Sequence, residues 1–212
     1  LKILGENMND KKLILASSSP RRLALLEQAG YTVDVVSPDL TIEEEKLDIL
    51  DPVEYVKTLS MKKMLSVASL RKDEEMVVGA DTIVFLKGRI FEKPKSADQA
   101  IEFLRELSGQ THQVYTGVAI GIYGDIFSDC VKTEVTFQEL SEEDILAYVL
   151  TGEPLDKAGA YGIQERGALW VKEIKGCYFN VVGFPLSHFY MMLKEIGEPF
   201  YGHCKNKRNV SR

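Results

Sequence analysis

Patterns typical of helices and strands alternate along this chain, and they constrain its fold more than any other feature. Amphipathic helices are predicted to begin at five capping or proline residues, namely Ser19, Asp51, Ser96, Ser141 and Pro185. Strands are predicted between them at 13–16, 33–36, 76–79, 82–86, 113–123, 126–139 and 168–174. Early strand–helix alternation and a hairpin near Gly124 and Asp125 predict a mixed sheet, and therefore an α/β (mixed α+β) fold.

Composition excludes several classes of protein. Of the 212 residues, 45% are hydrophobic and 27% are charged, so we expect one domain over 11–198 with tails at 1–10 and 199–212. No apolar stretch approaches the roughly 20 residues of a membrane span and no signal peptide opens the chain, so we expect a cytoplasmic protein without a membrane partner. The net charge of −6 argues against binding to nucleic acid.

Residues 16–22 read Ala-Ser-Ser-Ser-Pro-Arg-Arg and place two cations in the first turn of a helix. The helix dipole disfavours a cation there by about 0.3–1 kcal/mol per exposed charge. A strand, a serine-rich loop and a helix N-terminus with Arg21 and Arg22 together favour a binding site for a polyanion. The alternative is an ordinary capped helix whose arginines point into water, and this segment alone does not decide between the two.

A single carboxylate, Asp81, interrupts the apolar run at residues 76–86. Burying an unpaired carboxylate costs several kcal/mol, so Asp81 must face a cleft at a strand end or have a lysine or a metal ion beside it. The alternative is an Asp in a turn between two strands, with Gly79 supporting the turn.

Residues 156–164 combine two glycines with an aromatic ring and an amide. Gly159 and Gly162 let the backbone approach a ligand closely, and Tyr161 offers a ring for stacking. The amide of Gln164 matches the face of uracil or thymine, where an acceptor lies next to a donor. A glycine-rich turn with a polar end explains the segment equally well.

Lysines and glutamates complete the set of candidate groups. Lysines stand at positions 63, 93 and 157, and an acidic run occupies residues 43–45. Together with the arginines, Asp81 and the segment 156–164, they indicate a site for a phosphorylated base, with a divalent cation between carboxylate and phosphates.

These motifs resemble those of the Maf family, nucleoside triphosphate pyrophosphatases once described as septum-formation inhibitors. The similarity extends from about residue 13 to residue 196 and includes SSSPRR at 17–22, GADT at 79–82, KP at 93–94, LSGQTH at 107–112 and DKAGAYGIQ at 156–164. The resemblance implies an elongated mixed α/β fold of two lobes around a central cleft, related to the inosine triphosphate pyrophosphatases. It also implies hydrolysis of a nucleoside triphosphate to the monophosphate and pyrophosphate with Mg²⁺ or Mn²⁺.

The branch of the family that acts on dTTP and UTP resembles this chain most, because it combines the equivalents of Arg21, Thr82 and Gln164. The same resemblance makes Asp81 the proton acceptor and a metal ligand. The acidic segment after Asp39 is longer here than is usual in the family, and Glu43 is our placement of the second metal ligand. The remaining substrate contacts implied are Ser17, Arg22, Lys63, Lys93, Lys157 and Tyr161.

The expected function is hydrolysis of dTTP and UTP, and of modified pyrimidine triphosphates, linked to cleaning of the nucleotide pool or to arrest of cell division. One alternative keeps the reaction and changes the substrate to a purine or modified guanine triphosphate. The other is a non-catalytic, nucleotide-binding regulator of septum formation. A homodimer is consistent with the family resemblance.

Overall fold

A computed structural model describes residues 13–43, 47–72 and 75–198, leaving out the side chains of Leu40 and Glu43. Its strands are β1 (Leu13–Ala16), β2 (Val33–Val36), β3 (Val77–Leu86), β4 (Arg89–Phe91), β5 (Thr111–Ile122), β6 (Asp125–Phe137) and β7 (Val171–Lys175). Its helices are α1 (Pro20–Gln28), α2 (Leu40–Glu43), α3 (Pro52–Ala68), α4 (Ala97–Leu107), α5 (Glu142–Val149), α6 (Tyr178–Val182) and α7 (Leu186–Glu195). Short 3₁₀ helices lie at Glu153–Asp156, Ala158–Ala160 and Arg166–Trp170.

The described residues form one seven-stranded mixed sheet in the order β2-β1-β3-β5-β6-β7, with β4 paired to β3. Strand β1 runs parallel to β2 and β3, whereas β3, β5, β6 and β7 pair antiparallel. The mixed α/β fold predicted from the sequence is therefore confirmed. In the part of the chain that the structure covers, no helix is both long enough and apolar enough to cross a membrane.

All five predicted helices are present, because their start signals are local. The Asp51 side chain accepts hydrogen bonds from the backbone N–H groups of Val53 and Glu54 at the start of α3. Ser96 and Ser141 cap α4 and α5 in the same way. Ser19 stands at the N-cap position of α1, but its hydroxyl makes no capping bond there. The two short helices α2 and α6 were not predicted, because segments of 4 and 5 residues are too short to show a helical periodicity.

Three details of the predicted strands are wrong. The segments 76–79 and 82–86 form one continuous strand, in which Asp81 pairs with Gly117, so the turn interpretation of Asp81 is excluded. The hairpin turn consists of Tyr123 and Gly124, with φ of 54° and 81°, one residue earlier than predicted; positive φ at both positions is typical of a type I′ turn. The last strand begins only at Val171, because Arg166–Trp170 form a 3₁₀ helix.

Helix α3 packs on one face of the sheet, and helices α1, α4, α5 and α7 pack on the other. The backbone of α3 lies directly on β3 and β5 at two glycines. A Cβ atom at Gly79 would come within 2.3 Å of the Ser60 carbonyl oxygen, and one at Gly117 within 2.4 Å of the Val56 carbonyl oxygen. This close approach carries Lys63 of α3 to the level of Asp81 on β3.

Candidate functional site

A gap in the sheet defines the position of the candidate site. Strand β1 pairs with β3 only as far as Gly79, and β4 pairs with β3 only from Val84 onward. The backbone edge between these points faces the serine-rich loop that follows β1. In open α/β sheets, the crevice beyond the carboxyl end of a strand at such a change of neighbours is the usual place for a ligand.

A cleft of about 250 Å³ occupies this position. It is lined by every site residue predicted from the sequence except Glu43, namely Ser17, Arg21, Arg22, Lys63, Asp81, Thr82, Lys93, Lys157, Tyr161 and Gln164. The side chain of Glu43, predicted as a metal ligand, lies outside the described residues. Residues from five separate segments of the chain therefore lie along one concave surface.

Asp81 and Lys63 form a buried ion pair on the wall of this cleft. The Lys63 Nζ donates to Asp81 Oδ1 at 2.7 Å, and the two residues are only 4% and 9% exposed. The carboxylate in the apolar strand thus has the lysine partner that its burial requires. This contact uses one of the two carboxylate oxygens of Asp81.

Arg22 is buried, so the interpretation that the paired arginines simply point into water is wrong. Its Nε donates to the Gly183 carbonyl oxygen at 2.9 Å, Nη1 to Ser17 Oγ at 3.0 Å and Nη2 to Thr82 Oγ1 at 3.1 Å. One guanidinium group therefore joins the serine-rich loop, strand β3 and the end of α6. These contacts hold a cation at the positive end of a helix dipole.

Arg21 and Lys157 share a carboxylate that the sequence analysis did not single out. Asp156 Oδ2 accepts from Arg21 Nη1 at 2.8 Å, and Asp156 Oδ1 accepts from Lys157 Nζ at 2.8 Å. Desolvation raises the pKa of Asp156, but the hydrogen bonds from Lys157 and Arg21 outweigh it and the pKa falls below its ordinary value. Lys157 Nζ also donates to the Glu153 carbonyl oxygen at 2.7 Å and lies 3.2 Å from Glu165 Oε2.

Tyr161 lines the cleft, but its ring cannot serve as the stacking platform predicted from the sequence. The residue is 5% exposed and packs edge-on against Phe137 and His112, with ring centroids 4.7 and 5.4 Å away. Its hydroxyl lies 2.8 Å from His112 Nε2. Burial raises the pKa of Tyr161 and lowers that of His112 to about 3. The ring therefore anchors the segment 156–164 to the core instead of facing a ligand.

Among the lining residues predicted from the sequence, Lys93 and Gln164 are the two that are exposed. Both are polar and belong to loops at the mouth of the cleft, where they can reach a ligand without losing contacts of the core. Gln164 follows the anchored Tyr161 by three residues, so the buried ring limits where its amide can reach.

Sequence reasoning missed the supporting residues of the site. His112 lies inside a quoted motif and Asp156 begins another, so both carried a signal. Thr116, Asn180 and Gly183 carried none, because their contacts with the site depend on segments distant in sequence.

The oxygen atoms of the cleft suit a hard cation such as Mg²⁺ only if a bound ligand contributes further oxygen atoms. Among the described residues, no cluster of three or more His, Cys, Asp or Glu side chains is suited to hold a metal ion. The cleft does present the carboxylates of Asp81, Asp156 and Glu165. Oxygen ligands of this kind, completed by phosphate oxygens of a substrate, are typical of Mg²⁺ sites that use only one or two carboxylates.

Comparisons of the sequence with known proteins give a consistent result. A family model described as "Maf-like protein" matches residues 12–196. A dTTP/UTP pyrophosphatase of Clostridium perfringens is 45% identical over 186 residues, which cover 86% of this chain and 96% of that protein. A dTTP/UTP pyrophosphatase of Bacillus cereus is 47% identical over 191 residues, covering 90% and 92% respectively. The Ham1 protein of Staphylococcus aureus aligns with 88% of this chain and 100% of its own at 15% identity, with a TM-score of only 0.46.

Proposed function

The chain belongs to the Maf family, and we propose that it is a pyrophosphatase that hydrolyses dTTP and UTP to the monophosphate and pyrophosphate. Relatives named dTTP/UTP pyrophosphatase, which align over most of both chains, support the choice of substrate. The observation that carries the proposal is that Asp81 and several cationic side chains line the same cleft. We treat residues 11–198 as one catalytic domain, which agrees with the family match over 12–196.

The cations of the cleft would bind the triphosphate. Arg21, Arg22, Lys63, Lys93 and Lys157 all line it, against the carboxylates Asp81, Asp156 and Glu165. A multiply charged polyphosphate is attracted to such a surface, and partial exclusion of water strengthens the attraction. The N-terminus of α1 adds its dipole and backbone N–H groups.

Asp81 is the proposed proton acceptor for the water that attacks the α-phosphorus, with pyrophosphate as the leaving group. Lys63 holds its carboxylate through the 2.7 Å contact to Oδ1 and thereby fixes its orientation in the cleft. A divalent cation, Mg²⁺ or Mn²⁺, would be held by Asp81 with phosphate oxygens and would neutralise charge on the phosphates. Glu43 remains our proposal for a second ligand.

Gln164 is the proposed contact to the base. Its amide offers a donor beside an acceptor and can match uracil and thymine, which present both on one edge.

The direct test is a comparison of pyrophosphate release from dTTP, UTP, GTP and ITP with Mg²⁺ and with Mn²⁺. We expect dTTP and UTP to be the preferred substrates. Preferred turnover of GTP or ITP would move the substrate class to purines. Nucleotide binding without any pyrophosphate release would identify a non-catalytic regulator.

The role of Asp81 is tested by Asp81→Asn. We expect kcat for dTTP to fall by about 10²–10⁴-fold, the range typical of a lost general base, while nucleotide still binds. Asp129→Asn is the matched control, because Asp129 is exposed and lies outside the cleft lining, where its carboxylate contacts His188 and the backbone N–H of Cys130. An Asp81→Asn variant with normal turnover would show that another group accepts the proton.

A further inference from the structure

A chain of hydrogen bonds runs from the cleft into the core on the face of the sheet opposite α3. Arg22 Nη2 lies 3.1 Å from Thr82 Oγ1, which lies 3.0 Å from Thr116 Oγ1. Thr116 Oγ1 in turn donates to the backbone carbonyl oxygen of Asn180 at 3.0 Å. Thr82 and Thr116 are directly opposite each other in the pairing of β3 with β5.

The chemistry of the two ends sets the direction of every bond in this chain. A guanidinium group can only donate, and a carbonyl oxygen can only accept. Since Thr116 has one hydroxyl hydrogen and gives it to Asn180, it must accept from Thr82. Thr82 therefore gives its own hydrogen to Thr116 and accepts from Arg22. Its hydroxyl has no hydrogen left for a ligand in the cleft.

The far end of the chain is fixed by further contacts. The Asn180 side chain donates to the Val114 carbonyl oxygen and to Thr133 Oγ1, both at 3.0 Å. Thr133 Oγ1 also bonds the backbone of Cys177 at the start of α6. The acceptor carbonyl of Asn180 is thus tied to two strands, and the orientation of the hydroxyls follows from a rigid anchor.

We propose that Thr116 is a positioning residue for the cleft, acting through Thr82 to hold the Arg22 guanidinium in the geometry that binds polyphosphate. Thr116 is fully buried and is not part of the cleft lining. Without its hydroxyl, Thr82 would lose the acceptor for its hydrogen and could rotate away from Arg22. The inference rests on the proposed function only in taking the cleft to bind polyphosphate.

Titration of inorganic tripolyphosphate into the folded protein tests this without requiring turnover. Thr116→Val keeps the shape and removes the hydroxyl, and we expect binding to weaken by about 5- to 10-fold, the effect of one lost hydrogen bond. Thr116→Ser should bind within about 2-fold of wild type. Thr136→Val is the matched control, because its hydroxyl pairs with Thr111 at the start of β5. That variant should bind as wild type does.

Kinetics with dTTP provide the second readout. Thr116→Val should raise KM by a similar factor and leave kcat within about 3-fold, since Asp81 lies on the other face of β3. Circular dichroism checks that each variant is folded. If Thr116→Val does not fold, Thr116→Cys, a weak donor, replaces it and should bind more weakly than Thr116→Ser.

Either of two results with the variants would overturn the inference: equal tripolyphosphate affinity with and without the hydroxyl, or failure of Thr116→Ser to restore the affinity. Absence of tripolyphosphate binding by the wild type would overturn it as well. Wild-type protein that binds tripolyphosphate but releases no pyrophosphate from any nucleotide would instead contradict the proposed function. The titrations would then still decide the role of Thr116.

Discussion

Replacement of Lys63 by Met should lower the free energy of unfolding, because the buried carboxylate of Asp81 loses its partner. The side chains of Lys63 and Asp81 are 5% and 12% exposed and their charged atoms are 2.7 Å apart. Removing one partner of such a pair leaves an uncompensated buried charge, which typically costs about 3–5 kcal/mol of unfolding free energy. For a protein of this size, 1 kcal/mol corresponds to about 2–4 °C in Tm, so we expect Tm to fall by roughly 6–20 °C.

A thermal melt followed by circular dichroism at pH 7 measures this change. Lys57→Met on the same helix is the matched control, because Lys57 and Glu54 form a longer contact of 3.8 Å with side chains 27% and 62% exposed. A helical surface pair of this kind contributes about 0.3–0.5 kcal/mol, so the Tm of the Lys57→Met variant should change by no more than about 2 °C.

The double variant Lys63→Met with Asp81→Asn separates charge from packing. With both charges removed, no unpaired ion is left, so the double variant should be more stable than Lys63→Met alone. The reasoning is refuted if Lys63→Met melts within about 2 °C of wild type, or if the double variant is the less stable of the two.

Two further predictions concern acid stability and packing. Since burial lowers the pKa of His112 from 6.5 to about 3, the unfolded chain takes up a proton that the folded chain does not. The free energy of unfolding should therefore decrease as the pH falls from 6.5 to 3, by up to about 1.4 kcal/mol per pH unit. In urea unfolding, His112→Gln should make this free energy depend less on pH. Gly79→Ala should cost about 1–3 kcal/mol, because its Cβ meets backbone atoms of Ser60 and Met64. Gly121→Ala, which meets only the flexible Met64 side chain, should cost less in the same assay.

Much of the fold could be predicted because its signals are local. Asp51 caps α3 through the N–H groups two and three residues further on, and any structure containing that helix would show the same contact. Gly124 favoured a tight hairpin for a similarly local reason, although the turn begins one residue earlier than predicted. Periodicity did not predict α2 and α6, because each is too short to display it.

The candidate site was also predicted only in part: its unusual residues could be identified from the sequence, but their partners could not. Asp81 stood out because a carboxylate within an apolar run needs a partner, and Arg21 and Arg22 stood out because they oppose a helix dipole. The sequence could not say that the partner of Asp81 is Lys63, or that Asp156 lies between Arg21 and Lys157.

The sequence by itself determined which elements form and which residues are chemically unusual, because backbone capping, side-chain periodicity and desolvation of a charge depend on near neighbours in the chain. Only the tertiary structure decided how those residues are paired. It turned the ring of Tyr161 into the core, buried Arg22 against Gly183 and aligned Thr82 with Thr116 across two strands. Such contacts join segments up to 161 residues apart, and they exist only because the packing of α3 and α6 on the sheet brings those segments together.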